Sequence, residues 1–123
     1  MAEVVNLNLR SVRFSPTVDN GSDTRFLLEL RDPMNGKFDF TGYTAKMEIR
    51  PYPKSATVYD TLTTENKRLV ITDSDIEIVF PASVTAKYKF SEACYDLLLL
   101  IDGHQWRVAE GTISFRKGVT NGW

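Results

Sequence analysis

From Tyr95 to Phe115 the chain reads YDLLLLIDGHQWRVAEGTISF, two apolar runs joined at Asp102-Gly103. Asp-Gly between apolar runs is a strong hairpin signal, because a type I′ turn needs positive φ at both central positions. In Tyr95–Ile101 nearly every side chain is apolar, so both faces of that strand are expected to be covered, as happens deep in a sandwich or at a subunit contact. The return strand alternates, with Trp106 and Val108 on one face and Arg107 on the other, and this predicts a buried Trp106. The run breaks around Ala109–Gly111 and resumes at Ile113 and Phe115. A glycine inside a strand marks a bulge or a close backbone approach.

The rest of the chain supplies shorter strands for this hairpin. Val5, Leu7 and Leu9 alternate with Asn6 and Asn8, a strand with one wet face. Phe14-Ser15-Pro16 extends a second short run, which Pro16 confines to an edge or an end. After the turn residues Asp19–Asp23, Thr24–Arg31 gathers Phe26, Leu28 and Leu30 on one face, and Asp32–Gly36 ends it. Phe38 and Phe40 are expected to cap the core. Ala45, Met47 and Ile49 alternate with Lys46, Glu48 and Arg50 until Pro51-Tyr52-Pro53 stops the run. Ala56, Val58 and Leu62 predict a weaker strand, and Leu69 with Ile71 another, with Thr63–Arg68 as a hairpin loop between them. Ile76, Ile78 and Phe80 follow the turn Thr72–Asp75, and Pro81 opens a helix of about one to two turns through Lys87, since proline suits a first helical position. About seven to nine short strands punctuated by turns predict an all-β fold, an antiparallel β-sandwich of immunoglobulin-like type with one short connecting helix near 81–88.

Composition narrows the function more than it defines it. At 123 residues the chain is long enough for one domain with its own core and needs neither disulfide nor metal to staple it. Fifteen basic and sixteen acidic residues leave a net charge of −1 with both signs mixed along the chain, so no nucleic-acid or membrane partner is expected. MAEVVNLNLR is not a secretory signal, and Leu97–Ile101 is too short to span a bilayer, which points to synthesis in a cytoplasm.

Catalytic chemistry finds little to work with. His104 is the only histidine and Cys94 the only cysteine, so no zinc or iron cluster can form. Asp73, Asp75 and Glu77 alternate, but the ligands and bend glycine of a calcium loop are missing, and a solvated turn is the better reading. His104 beside the predicted turn tip reads as an exposed turn residue, and Cys94 as packing. Neither a phosphate loop nor a singled-out carboxylate pair is present. The chain is therefore expected to be no enzyme and to need no cofactor. Tyr43, Tyr52, Tyr59, Trp106 and Trp123 could stack sugar rings if they shared an exposed face. Trp123, at the end of the chain, is either a loose tail or an anchor for a neighbour.

The order of four segments carries a resemblance. FTGYTAKMEIR at Phe40–Arg50, LTTENKRLVI at Leu62–Ile71, IEIVFPASVTAKY at Ile76–Tyr88 and YDLLLLIDGHQWRVAEGTISFRKGVT at Tyr95–Thr120 together resemble a group of small tailed-phage and prophage virion proteins, similar to the N-terminal domain of phage baseplate upper proteins. The match runs from Phe40 onward and is looser before it. The resemblance implies a non-enzymatic virion structural protein, made in the host cytoplasm, that docks as an adaptor on the tail or baseplate in multiple copies. Its partners would be other virion proteins, with a homo-oligomer expected. It transfers no catalytic residues. A capsid decoration, cement or neck protein is the alternative within the particle, and a carbohydrate-binding module contacting the host surface is the alternative outside that class. Residues 1–117 are expected to form the sandwich and 118–123 a C-terminal tail, without a fibre after Thr120. Strand edges and exposed ends are where such a domain binds, so Val5, Leu7, Leu9, Val119 and Trp123 are the candidate interface residues.

Overall fold

Alternating apolar side chains resolve into two sheets that face one another across a shared core. The structure is a computed structural model, and it describes residues 2–7, 11–32, 36–37, 40–72 and 75–120. Along the chain the elements are β1 (Ala2–Leu7), β2 (Val12–Arg13), β3 (Thr17–Asp19), β4 (Thr24–Asp32), β5 (Gly36–Lys37), β6 (Thr44–Arg50), β7 (Asp60–Thr63), β8 (Leu69–Thr72), β9 (Asp75–Phe80), α1 (Ala82–Thr85), β10 (Glu92–Ile101) and β11 (His104–Arg116). One sheet has the order β1-β4-β9-β8, with β5 also on β4; the other has the order β2-β11-β10-β6-β7, with β3 also on β11. The fold is an all-β sandwich, as the alternation predicted.

It is not wholly antiparallel. β1 runs parallel to β4, and β2 and β3 run parallel to β11. The N-terminal segment explains all three pairings, because it serves the first sheet as β1 and then flanks the second sheet in the same direction as β11. Pro16, which has no amide to donate, divides that flank into two short strands. This division, with the two-residue β5, raises the number of strands among the described residues to eleven.

The core is built from one face of each sheet. Phe26 and Leu28 of β4, Ile76, Ile78 and Phe80 of β9, and Leu69 of β8 meet Ala45, Met47 and Ile49 of β6, Tyr95, Leu97 and Leu99 of β10, and Ile113 and Phe115 of β11. Burying one such side chain contributes about 1.5–3 kcal/mol, against about 0–1 kcal/mol for an exposed ion pair. The inner layer therefore sets how the sheets stack. Aromatic rings run through it edge to face, from Phe14 to Phe26 at 5.7 Å, Phe26 to Phe80 at 6.3 Å and Phe80 to Phe115 at 5.9 Å. Phe40 is buried as expected of a cap; Phe38 lies outside the described residues.

Three expectations are corrected. β10 buries Tyr95, Leu97 and Leu99, but Leu98 is half-buried and Leu100 is 44% exposed, because among the described residues no third layer covers the outer face of its sheet. Ala56 and Val58 are exposed and lie outside any strand; pairing with β6 begins near Tyr59, whose amide donates to the Ile49 carbonyl at 2.7 Å. Thr63–Arg68 is not a hairpin loop. β7 pairs with β6 and β8 with β9, so this segment crosses from one sheet to the other. Asn66 shapes the crossing: its Oδ1 accepts from the amides of Thr63 at 2.9 Å and Arg68 at 3.0 Å.

Arg68 then clasps the two sheets at that end. Its Nη1 lies 3.1 Å from Asp60 of β7, its Nε donates to the Val79 carbonyl of β9 at 2.9 Å, and its guanidinium sits over the Phe80 ring. The Tyr88 hydroxyl donates to the same Asp60 carboxylate. Burial, reinforced by that carboxylate, pushes the Tyr88 hydroxyl well above the usual phenol range. The connector before Tyr88 is a single turn, α1. Pro81 is its N-cap rather than its first residue, and Asp23 and Thr85 tie it to the β3–β4 turn through Ala82 N at 2.7 Å and Gly21 N at 3.0 Å.

At the other side of the second sheet, Gly111 lets the N-terminal flank close in. A β-carbon there would lie 2.3 Å from the Phe14 carbonyl oxygen and 3.0 Å from Ser15 Oγ. Tyr95 donates its hydroxyl to that same carbonyl, and burial pushes this phenol up as well. The glycine thus marks a close approach, while the bulge falls a little earlier, where the register shifts between Leu97 and Leu98 and both Val108 and Ala109 are buried.

Gly111→Ala is expected to cost about 1–3 kcal/mol, because backbone must move, whereas Gly118→Ala, whose nearest contact is 3.8 Å away, should be near neutral. Urea unfolding of both variants checks this; equal stabilities would remove the close-approach argument. The two raised phenols also set a pH dependence. The unfolded chain ionises these tyrosines near pH ~10 while the folded chain keeps both protons, so their contribution is full below that pH and lost as pH rises above it. Tyr88→Phe should flatten the decline in urea midpoint between about pH 9 and pH 11, and an unchanged slope would count against the assignment.

Candidate docking surface

Two exposed large apolar side chains, Leu100 and Trp106, lie near the tip of the β10–β11 hairpin. Asp102 and Gly103 have φ of 49° and 80°, the positive pair of a type I′ turn, so Ile101 and His104 close the ladder directly. From the tip, His104, Gln105, Trp106 and Arg107 are all exposed. Trp106 sits opposite Leu99 and so on the core-facing side, yet it is 48% exposed, because among the described residues β11 is the outermost strand at this level. That corrects the expectation of a buried Trp106. Its ring lies 6.3 Å from Tyr43 and 6.2 Å from His104, while Leu100 is exposed on the opposite face. Aromatic side chains half out of the core are the usual anchors of protein interfaces.

The outer face of the same sheet is charged and internally neutralised. Arg107 Nε lies 3.0 Å from Asp96 and 3.8 Å from Glu110, and Glu110 also meets Arg13 at 3.4 Å. On β6, Glu48 lies 2.7 Å from Arg50 and 3.8 Å from Lys46, and the Arg50 hydrogen bond holds its carboxyl below the usual range. Between these pairs is an open depression of about 760 Å³ that Cys94 also lines. The Cys94 thiol donates to the Arg50 carbonyl at 3.3 Å, and burial pushes it up, away from thiolate chemistry. Among the described residues no group of three or more His, Cys, Asp or Glu could hold a metal ion. Asp75 and Glu77 belong to β9, with Glu77 paired to Arg25 at 3.4 Å, and Asp73 lies outside the described residues. The arrangement offers pairing edges and ring contacts.

The candidate interface residues are distributed as follows. Val5 and Leu7 belong to β1, opposite Leu28 and Leu30, at one end of the first sheet's strand order. Val119 follows β11 of the other sheet and is fully exposed. Leu9 and Trp123 lie outside the described residues. Of the aromatics that could stack sugar rings, Tyr52 is 60% exposed and one face of Tyr59 is stacked on Phe90 at 3.9 Å. Trp106 with Tyr43 is the group that alternation alone missed. The available signal was the nearness of Trp106 to the Asp102-Gly103 tip, since loop tips leave the core.

No family model matches the chain, and no curated protein matches it. Among solved structures the fold is similar to the N-terminal domain of phage TP901-1 ORF48, with a TM-score of 0.58 and 8% identity, over 94% of this chain and 98% of that one. The likeness is one of fold, and it extends across nearly the whole of both domains.

Proposed function

We propose that this chain is a non-enzymatic structural component of a tailed-phage particle, an adaptor domain that docks on the tail or baseplate in several copies and contacts other virion proteins. The observation that carries the reading is the shared sandwich with an N-terminal domain of a phage protein over 94% and 98% of the two chains. The ordered segments from Phe40 to Thr120, which resemble phage virion proteins, support it independently of backbone geometry. An adaptor of this kind works through strand edges and exposed apolar ends. The proposed attachment points are the N-terminal strand, with Val5, Leu7 and Leu9, and the C-terminal segment, with Val119 and Trp123.

Imaging purified particles by electron microscopy tests the reading. Density for this chain at the tail or baseplate is expected; density on the capsid shell would replace the adaptor with a decoration protein, and absence from the particle would overturn a structural role. Trp123→Ala should lower incorporation into particles while leaving the thermal midpoint of the isolated domain in place. Undiminished incorporation would remove the C-terminal anchor.

A further inference from the structure

The turn between β3 and β4 contains Asn20-Gly21. Ser22 donates its amide to the Asp19 carbonyl at 3.1 Å and Gly21 has a φ of 85°, so the pair occupies the two central positions of a type II turn. Three contacts hold it. The Asn20 amide donates to the Arg116 carbonyl of β11 at 2.8 Å, the Gly21 amide donates to Thr85 Oγ1 at 3.0 Å, and the Ala82 amide donates to Asp23 Oδ1 at 2.7 Å. Thr85 is fully buried, and its hydroxyl in turn donates to the Pro81 carbonyl at 3.4 Å, so the acceptor that meets Gly21 is fixed in direction. The side-chain oxygen of Asn20 is itself shut off from water, and among the described residues it accepts no hydrogen bond.

Asparagine followed by glycine is among the least durable pairs in a polypeptide, because no glycine side chain hinders its nitrogen from reaching the preceding side chain. The Gly21 nitrogen gives its proton to a solvent base and bonds to Asn20 Cγ, which places a negative charge on Oδ1 in a tetrahedral intermediate. The bond from Cγ to the side-chain nitrogen then breaks, that nitrogen takes a proton from solvent and leaves as ammonia, and a succinimide ring remains. Water opens the ring to aspartate or to isoaspartate. Both early requirements are blocked in the closed turn. The nucleophilic nitrogen has its proton held by a buried hydroxyl instead of facing a base, and the oxygen that must take the charge meets no water to stabilise it. We infer that Asn20 is a latent modification site, at which water converts the side-chain amide to an acid only when the turn lets go of Thr85. The change is one-way. Aspartate puts a charge where an oxygen is now buried, and isoaspartate adds a methylene to the backbone between β3 and β4, so neither product fits the closed turn. The single helical turn α1 thereby latches the chemistry of a loop 64 positions away.

Peptide mapping of the isolated protein tests the inference. Trypsin releases residues 14–25, in which Asn20 is the one amide side chain, so acid formation there is read by mass and isoaspartate by chromatographic retention. In mildly alkaline buffer the folded chain should deamidate at Asn20 at least about tenfold more slowly than the same chain in denaturing guanidinium chloride. Thr85→Val keeps the shape and removes the acceptor, and should speed the folded-state reaction by at least about threefold; Thr85→Ser, which keeps the hydroxyl, should not. Leu99→Ala, a core truncation at the other end of the β10–β11 ladder from β3, should lower the urea midpoint and leave the Asn20 rate unchanged. Equal rates in the folded and denatured chain would overturn the proposal. So would a Thr85→Val rate no faster than that of the unmodified protein, or a rise with Leu99→Ala as large as with Thr85→Val, which traces the reaction to global unfolding. A further readout needs no variant to fold: the Gly21 amide should be protected from hydrogen exchange, and exchange at the rate of an open chain would sink the latch. Asn20→Asp, which installs one product directly, should lower the urea midpoint; an unshifted midpoint would refute the one-way step. None of these outcomes bears on the particle experiment.

Discussion

One guanidinium, partly withdrawn from water, holds the two sheets in register at the end where the chain crosses between them. Arg68 lies immediately before β8, donates to the Asp60 carboxylate of β7 and to a β9 carbonyl, and rests on the Phe80 ring. The desolvation cost of placing this charge there is offset because each of its faces meets a partner of matching character. Removing either half would leave the other charge partly buried and unpaired. The same acid also orients Tyr88, so the connector that returns the chain from β9 to β10 is fixed by the group that fixes the crossing. A cluster of rings, Tyr88, Phe90, Tyr59 and Phe115, then fills the space below.

At the far end of the second sheet the constraints are of backbone shape. The bulge adds one residue to β11, which turns the hairpin and reverses which backbone groups face outward. Gly111 permits the flank of β2 and β3 to close over the lower half of β11, where among the described residues its pairing begins at Val12. Among the described residues the upper and lower halves of β11 therefore have different neighbours, and the exposed aromatic group lies toward the tip.

Much of the fold was legible in the residues. Asp102-Gly103 identified its turn because few pairs tolerate positive φ twice, and the alternation in Ala45–Arg50 and in Ile76–Phe80 named the buried side chains correctly. Periodicity reports faces, however, and not partners. It could not say that β7 and β8, adjacent in sequence, belong to different sheets, because that depends on the side chains Arg68 finds across the core. It could not say that Trp106 is half exposed, because the residue is on the inner side and its cover depends on which strands flank β11 at that level. Leu98 and Leu100 misled for a related reason, since an apolar run does not reveal whether a third layer exists. Of the candidate surface, the place of Val119 after the last strand was legible, and the exposure of Trp106 was not.

The N-terminal flank also determines when this sandwich can be finished. Arg13 and Glu110, neighbours across the β2–β11 pairing, are separated by 97 positions in the chain. Closing so long a loop carries a large entropic cost and gives the fold a high share of non-local contacts, the topology that folds slowly. During synthesis, β2 and β3 emerge early and have no strand to join until β11 has left the ribosome. Until then the flank, and the side of β10 that β11 will cover, are open to other chains. The order of synthesis therefore places the risk of misassembly in the last strand to appear.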